Sequence, residues 1–256
     1  MKGRLPCITT VTALFVLSLS ISVNAGELEN RLVICAMMGD VASVNTLILK
    51  GADVNAQDGT GGETALMAVA NGFGEIGDAE VAQLLIDKGA KTEIKNKNGY
   101  TALIMAADKG NEGVASVLLN SGAHIEARDA HGMTPLMHAA LSGKKGVAGL
   151  LIDRGADVNA VAGGFMRWTP LILAADSGKA DIVRLLIEKG AKIEARDQYG
   201  YTALMRAADE GRADAVRALV DKGADINAKD PNGQTALDMA KAGVVVVILK
   251  KAGAKE

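Results

Sequence analysis

Apolar positions along this chain recur in a two-bar pattern. The first bar opens on Thr, then Ala or Pro, then Leu. It begins at Thr64, Thr101, Thr134, Thr169, Thr202 and Thr235, in steps of 37, 33, 35, 33 and 33 residues. The second bar carries Val and a Leu-Leu or Leu-Ile pair at the spacing of one helix face, as in Val183, Leu185, Leu186 and Ile187. It closes on Gly-Ala, at Gly51, Gly89, Gly122, Gly155, Gly190, Gly223 and Gly253. Four of the six Thr-to-Gly intervals are 21 residues, so two independent landmarks keep one phase. Such self-similarity marks a repeat architecture.

Each unit reads as a helix–turn–helix. Thr opens the first helix as N-cap, its hydroxyl taking a free backbone N–H. Pro135 and Pro170 fill the first helical position, where the missing N–H costs nothing. Paired alanines such as Ala207 and Ala208 let neighbouring helices approach closely. Gly110, Gly143, Gly178 and Gly211 supply the left-handed residue that closes the helix. After Gly-Ala, a short polar segment with Ile or Val leads into Asp-x-x-Gly, a tight turn.

The pattern predicts an all-α solenoid over 26–256, with repeats at about 27–57, 58–95, 96–128, 129–160, 161–196, 197–229 and 230–256. The end repeats are atypical, as capping repeats are. In the first, Asn30 takes the Thr slot, with Leu32, Cys35, Ala36 and Gly39 in the Leu, Ala, Ala and Gly slots. In the last, Thr235 to Gly253 is only 18 residues, so its helix pair is compressed. The apolar run 244–249 reads as the final packing helix, and Lys250, Lys251 and Lys255 suit a helix C-terminus.

The run Asp129-Ala130-His131-Gly132-Met133-Thr134-Pro135-Leu136, with Ala139-Ala140 and then Gly155-Ala156-Asp157-Val158-Asn159-Ala160, closely resembles the ankyrin repeat. The resemblance covers about residues 27–256. It implies an L-shaped unit of two antiparallel helices and a projecting hairpin, stacked into a curved solenoid. It also implies partner binding along the inner edge of the hairpins. One departure is visible: where the family has His after Thr-Pro-Leu, this chain has Met67, Ile104, Met137, Ile172, Met205 and Asp238. The family's His supports the turn by hydrogen bonds, so apolar packing is expected in its place.

Composition agrees with this reading. Hydrophobic residues make up 49% and charged residues 23%, which is globular rather than disordered. Aromatics at 3%, beside 30 glycines, suit small-residue helix packing joined by turns. The N-terminus reads as a secretory signal over 1–25: Lys2 and Arg4, an apolar run over about 8–23, then Val23-Asn24-Ala25. Cleavage is predicted after Ala25; the alternative is an uncleaved anchor. Cys7 precedes the apolar core, the wrong place for a lipoprotein cysteine. Signal removal takes the net charge from −2 to −4. A mildly acidic chain with interspersed charges speaks against nucleic acid, which needs a basic stripe. The short basic-headed signal points to a bacterial periplasm, or else the medium. After cleavage only Cys35 remains, so no internal disulfide forms. Its Ala slot reads as buried core rather than as a redox-active thiol.

Catalytic and cofactor motifs are absent: no phosphate loop, paired-Cys zinc site or nucleophile elbow. The chain therefore reads as non-enzymatic, with no cofactor or metal. The three histidines, His124, His131 and His138, surround one repeat but need not converge. Asp108, Asp176 and Asp209 share one slot, seven after Thr, and would form an acidic file on the concave side, either for a basic partner or as plain solvated charge. The aromatics are the best lead. Tyr100, Phe165, Trp168, Tyr199 and Tyr201 all fall in hairpins, and Tyr100, Met133, Trp168 and Tyr201 occupy the slot before Thr in four consecutive repeats. Tyr, Trp and Met are enriched at interface cores. The alternative is packing of hairpin against hairpin.

Two insertions break the repeat. One lies around 72–79; the other, within 161–167, brings Phe165 and Met166 beside Trp168, with Arg167 and Arg206 as polar anchors. The expected function is protein binding after export, by a monomer with no lasting membrane insertion once the signal is cleaved. The partner-contacting residues would be Tyr100, Met133, Phe165, Met166, Trp168, Tyr201, Arg206 and the three aspartates. The alternative is a scaffold, stabiliser or immunity-type companion of a periplasmic enzyme or toxin.

Overall fold

The computed structural model describes residues 25–72, 77–164 and 166–255. Their regular structure is entirely helical, fourteen helices in seven successive pairs. The pairs are α1 (Ala25–Met37) with α2 (Val41–Leu49), α3 (Ala65–Ala70) with α4 (Asp78–Asp87), α5 (Ala102–Lys109) with α6 (Glu112–Asn120), and α7 (Pro135–Ser142) with α8 (Lys145–Asp153). After these come α9 (Pro170–Asp176) with α10 (Ala180–Glu188), α11 (Ala203–Asp209) with α12 (Ala213–Asp221), and α13 (Ala236–Met239) with α14 (Gly243–Lys251). Each first helix packs on the first helices of adjoining pairs, each second helix on the second helices, and the two of a pair on each other. The result is a two-row stack with one core along its length and a small second cluster of Met137, Ala160 and Leu173, against which Met133 and Trp168 pack.

The sequence explains why each pair forms. Thr64, Thr101, Thr134, Thr169, Thr202 and Thr235 cap the first helices, each hydroxyl accepting the N–H three residues on. The Leu two residues later is buried, as Leu66, Leu103, Leu136, Leu171 and Leu204 show. Gly110 and Gly143 close α5 and α7 in the left-handed conformation. In the slot where the family has His, Met137 and Met205 turn their sulfurs back on Thr134 N and Thr202 N (3.5 and 3.4 Å), and Asp238 Oδ2 accepts from Thr235 N at 2.7 Å. The substitute is thus part weak polar contact, not apolar packing alone. Those bonds hold the Asp238 carboxyl below the usual carboxylate range.

Two expectations for the first repeat change. Helix α1 runs straight through Asn30, so Asn30 is no N-cap. Cys35 is half-buried rather than buried. The same slot in the next five repeats, Val69, Ala106, Ala139, Ala174 and Ala207, is covered, whereas Cys35 and Ala240, in the first and last described repeats, are half-buried for want of a neighbour on one side. Burial, with Asp40 nearby, pushes its thiol pKa up, away from thiolate reactivity.

Consecutive repeats are also tied outside the helices. The side chain four residues after each of the first six Gly-Ala glycines accepts a backbone N–H from the segment after the next Gly-Ala landmark. Asn55 takes Lys91 N, Glu93 takes His124 N and Glu126 takes Asp157 N; Asn159 takes Lys192 N, Glu194 takes Asp225 N and Asn227 takes Lys255 N. Exposed amides that would otherwise go unpaired become rungs between repeats. The rungs fix the pitch at which hairpins follow one another.

Candidate functional site

The hairpins between helix pairs form one edge of the stack. In most of them an Asp or Asn opens the turn and folds its carboxylate or amide inward. Asp129 Oδ1 accepts from His131 N and Met133 N, both at 2.8 Å, and Asp197 Oδ1 from Tyr199 N and Tyr201 N at 2.8 and 3.0 Å. Asn96 and Asp230 hold their turns the same way. Backbone bonds then join neighbouring tips, Ala130 N to Asn98 O (3.1 Å) and Gly163 N to Gly132 O (3.2 Å).

The second oxygen of two turn aspartates meets a cationic or titratable side chain from the helix that follows. Asp129 Oδ2 lies 2.9 Å from His138 Nε2, and Asp197 Oδ2 accepts from Arg206 Nε at 2.8 Å. Both aspartate side chains are fully buried, and Arg206 retains 13% of its side-chain exposure. Each pair is roofed by rings. Tyr100 meets His138 edge-on at 5.0 Å between centroids. The Arg206 guanidinium lies 5.3 Å from the Trp168 ring, 5.5 Å from Tyr199 and 4.9 Å from Tyr201. Trp168 Nε1 is buried without a hydrogen-bond acceptor.

Numbered by the repeats they open, the hairpins run from the second to the seventh, and the fifth differs. Val161 and Ala162 stand where its neighbours have a cation and an aspartate, and the inserted residues follow, with Arg167 at φ 50°. This hairpin and the next leave Val161 (41% exposed), Met166 (43%) and Tyr199 (53%) open to solvent.

Comparison with known proteins places this geometry. Residues 32–129, 74–162 and 160–230 match the family model described as ankyrin repeats (3 copies). The chain belongs to the ankyrin-repeat family. Ankyrin repeats are protein–protein interaction modules, and the family and its fold are typically non-enzymatic. Among curated relatives, the chain is 36% identical over 111 residues to the Ankyrin repeat and KH domain-containing protein mask-1 of Caenorhabditis elegans, covering 43% of this chain and 4% of that one. It is 36% identical over 77 residues to the Ankyrin repeat and SAM domain-containing protein 6 of Rattus norvegicus, covering 30% and 8%. The matched region thus spans under a tenth of those relatives. Among solved structures, the human ASB11 ankyrin repeat domain matches with TM-score 0.77 and 26% identity, covering 88% of this chain and 98% of that one. The ankyrin repeat domain of Bcl-3, a member of the IkappaB protein family, matches with TM-score 0.70 and 28% identity, covering 86% and 97%.

The ankyrin stack brings some expected contact residues together and separates others. Tyr100, Met133, Trp168 and Tyr201 line one edge but are half-buried. Tyr100, Trp168 and Tyr201 pack against the core as well as against His138 or Arg206. Arg206 serves Asp197 rather than standing as a free anchor. Met166 is exposed, and Phe165 lies outside the described residues, as do 73–76 of the first insertion and the 1–24 segment read as signal. The aspartates form no continuous file, because Leu141 occupies their slot between Asp108 and Asp176. Asp108 accepts from Ser142 Oγ at 2.6 Å, and Asp209 pairs with Lys241 at 2.6 Å. Of the histidines, His124 and His131 are exposed and His138 faces Asp129. Among the described residues no cluster of three or more His, Cys, Asp or Glu is placed to hold a metal ion, and no helix is long and apolar enough to cross a membrane.

Asp176 carries a pH effect. Burial, then the nearby Glu210, raises its carboxyl pKa, against the pull of Arg206 and Arg212. The folded state then holds this proton more tightly than the unfolded chain. Stability is therefore lost as pH rises from the ordinary Asp value through the raised one. Asp176→Asn is expected to raise the urea midpoint at neutral pH and to leave it unchanged at pH values below the ordinary Asp value. An equal gain at both would assign the effect to packing instead.

Proposed function

We infer that this ankyrin-repeat protein acts, after export to the periplasm or medium, by docking a protein partner along its hairpin edge and the adjoining face of the first helices. The observation that carries the reading is the exposed group Val161, Met166 and Tyr199, centred on the inserted fifth hairpin. Solvent-exposed apolar side chains clustered beside polar ones are the usual make-up of an interface core and its rim. The N-terminal pattern of Lys2, Arg4 and an apolar run supports export.

The test uses the two most exposed side chains of this group. Trp168 and Tyr201 pack on Arg206, so their truncation mixes stability with binding. Met166→Ser with Tyr199→Ser keeps Trp168 and Tyr201 on Arg206 and removes only the outermost of its three rings, so the urea midpoint of the double variant is measured beside its binding. The purified protein should capture a partner from periplasmic extract, and the double variant should lose at least about tenfold in affinity, the size expected for truncated hot-spot residues. Unchanged capture by the variant would move the site off this edge.

A further inference from the structure

The residue just before the turn Asp or Asn is a cation in four hairpins, Lys95, Arg128, Arg196 and Lys229, and Gln57 or Val161 in the other two. All four cations are exposed. Three donate to backbone carbonyls: Lys95 Nζ to Arg128 O (2.8 Å), Arg128 Nη1 to Gly132 O and Val161 O (2.7 and 2.9 Å), and Arg196 Nη1 to Gly200 O and Lys229 O (2.6 and 2.9 Å). A carbonyl orients a guanidinium but does not cancel its charge. None of the four lies within ion-pair distance of a carboxylate in the described residues. The acids of the same turns, Asp129, Asp197 and Asp230, are folded inside on backbone amides. Glu126 and Glu194 bond the amides of the next repeat. At the tips of these three hairpins the turn acid thus faces inward and the cation before it outward.

The fifth hairpin interrupts this cationic row with Val161 and Met166, and Tyr199 adds an exposed ring. The edge is an apolar centre flanked by Arg128 on one side and Arg196 with Lys229 on the other. We propose that it receives an acidic segment of a partner protein with an apolar side chain at its middle, the acids falling on the flanking guanidinium groups. This deepens the docking reading above and rests on it. A nucleic acid fits less well: exposed Val161, Met166 and Tyr199 break the row of cations, Arg167 aside, and the chain carries net charge −2.

Charge can be removed here without removing the bridge. In the second hairpin Gln57 Nε2 donates to Gly62 O (2.6 Å) and Lys95 O (2.9 Å), the same two carbonyl positions that Arg128 and Arg196 span. Arg128→Gln with Arg196→Gln should therefore fold normally while losing two positive charges. Trp168, the only tryptophan, lies at the edge and reports binding by its fluorescence. The probes are a short Glu/Asp-rich peptide with a central Leu-Phe pair, its counterpart with every acid replaced by Lys, and oligothymidylate.

At low ionic strength the acidic peptide should bind the full-length protein at least about tenfold more tightly than the Lys counterpart, and added salt should erode the difference. The Arg128→Gln/Arg196→Gln variant should lose most of that preference with an unchanged urea midpoint. Absence of the preference, or its survival in the variant, overturns the assignment. Tighter binding of oligothymidylate overturns it in favour of nucleic acid. If both peptides bind equally and Met166→Ser/Tyr199→Ser abolishes both, the edge is a docking site but its charge class is wrong. If partner capture from extract is itself indifferent to Met166 and Tyr199, the docking reading fails with it.

Discussion

Arg206→Leu is expected to destabilise the stack by about 3 kcal/mol, the size of breaking a buried ion pair by removing one partner. The Asp197 carboxylate is wholly buried and would keep its turn amides, Tyr199 N and Tyr201 N, but lose its counter-charge. Three rings would also lose the cation they enclose. Repeats are coupled mainly to their neighbours, so the loss should be concentrated in the repeats around α11. The molecule itself supplies the control. In the third hairpin Asn96 Oδ1 accepts from Asn98 N and Tyr100 N as Asp197 does from its own turn. Adding Asp197→Asn to Arg206→Leu removes the stranded charge and keeps the turn, so the double variant should regain much of the loss. Urea unfolding followed by circular dichroism, with Trp168 fluorescence as a local probe, measures both. A double variant as unstable as the single would show that the rings, not the charge, need Arg206.

Gly132→Ala should cost a similar amount, about 2–4 kcal/mol. Gly132 sits at φ 74°, and an added Cβ would lie 2.4 Å from Gly163 Cα and N, which are backbone atoms unable to rotate away. The fourth and fifth hairpins would be forced apart and the Gly163 N–Gly132 O bond broken. Gly155 gives the comparison: its φ is 93°, but nothing lies within 4 Å of its Cβ position. Gly155→Ala should cost only the left-handed backbone term, about 1 kcal/mol. If the two variants unfold at the same urea concentration, the hairpins are not in the close register described, and the edge built on that register is not a continuous surface.

Much of this was legible along the chain. The Thr caps, the buried Leu slot and the Gly closures are local signals, set within one turn of helix. The second helices start less predictably: Lys144, Lys179 and Arg212 stand at their N-caps with no capping side-chain bond. Their alkyl stems lie over Gly110, Gly143 and Gly178 of the preceding repeat, a contact between repeats that spacing within one repeat does not reveal. The paired aspartates were hidden for a similar reason. Asp129 with His138 and Asp197 with Arg206 are each nine residues apart, and only the fold of hairpin onto helix makes them neighbours.

The edge residues show the same division. The sequence alone determined the repeat, its phase, the family and the placing of Tyr100, Met133, Met166, Trp168 and Tyr201 in hairpins, because a periodic chain writes each local decision several times. Tertiary structure decided which of those rings face solvent. Trp168 and Tyr201 turn partly inward onto Arg206 of α11, one repeat beyond Trp168, while Tyr199 stays exposed at 53%. It also decided the charge of the edge: turn amides draw the aspartates inside and leave the neighbouring arginines outside, a separation that net charge along the chain averages away.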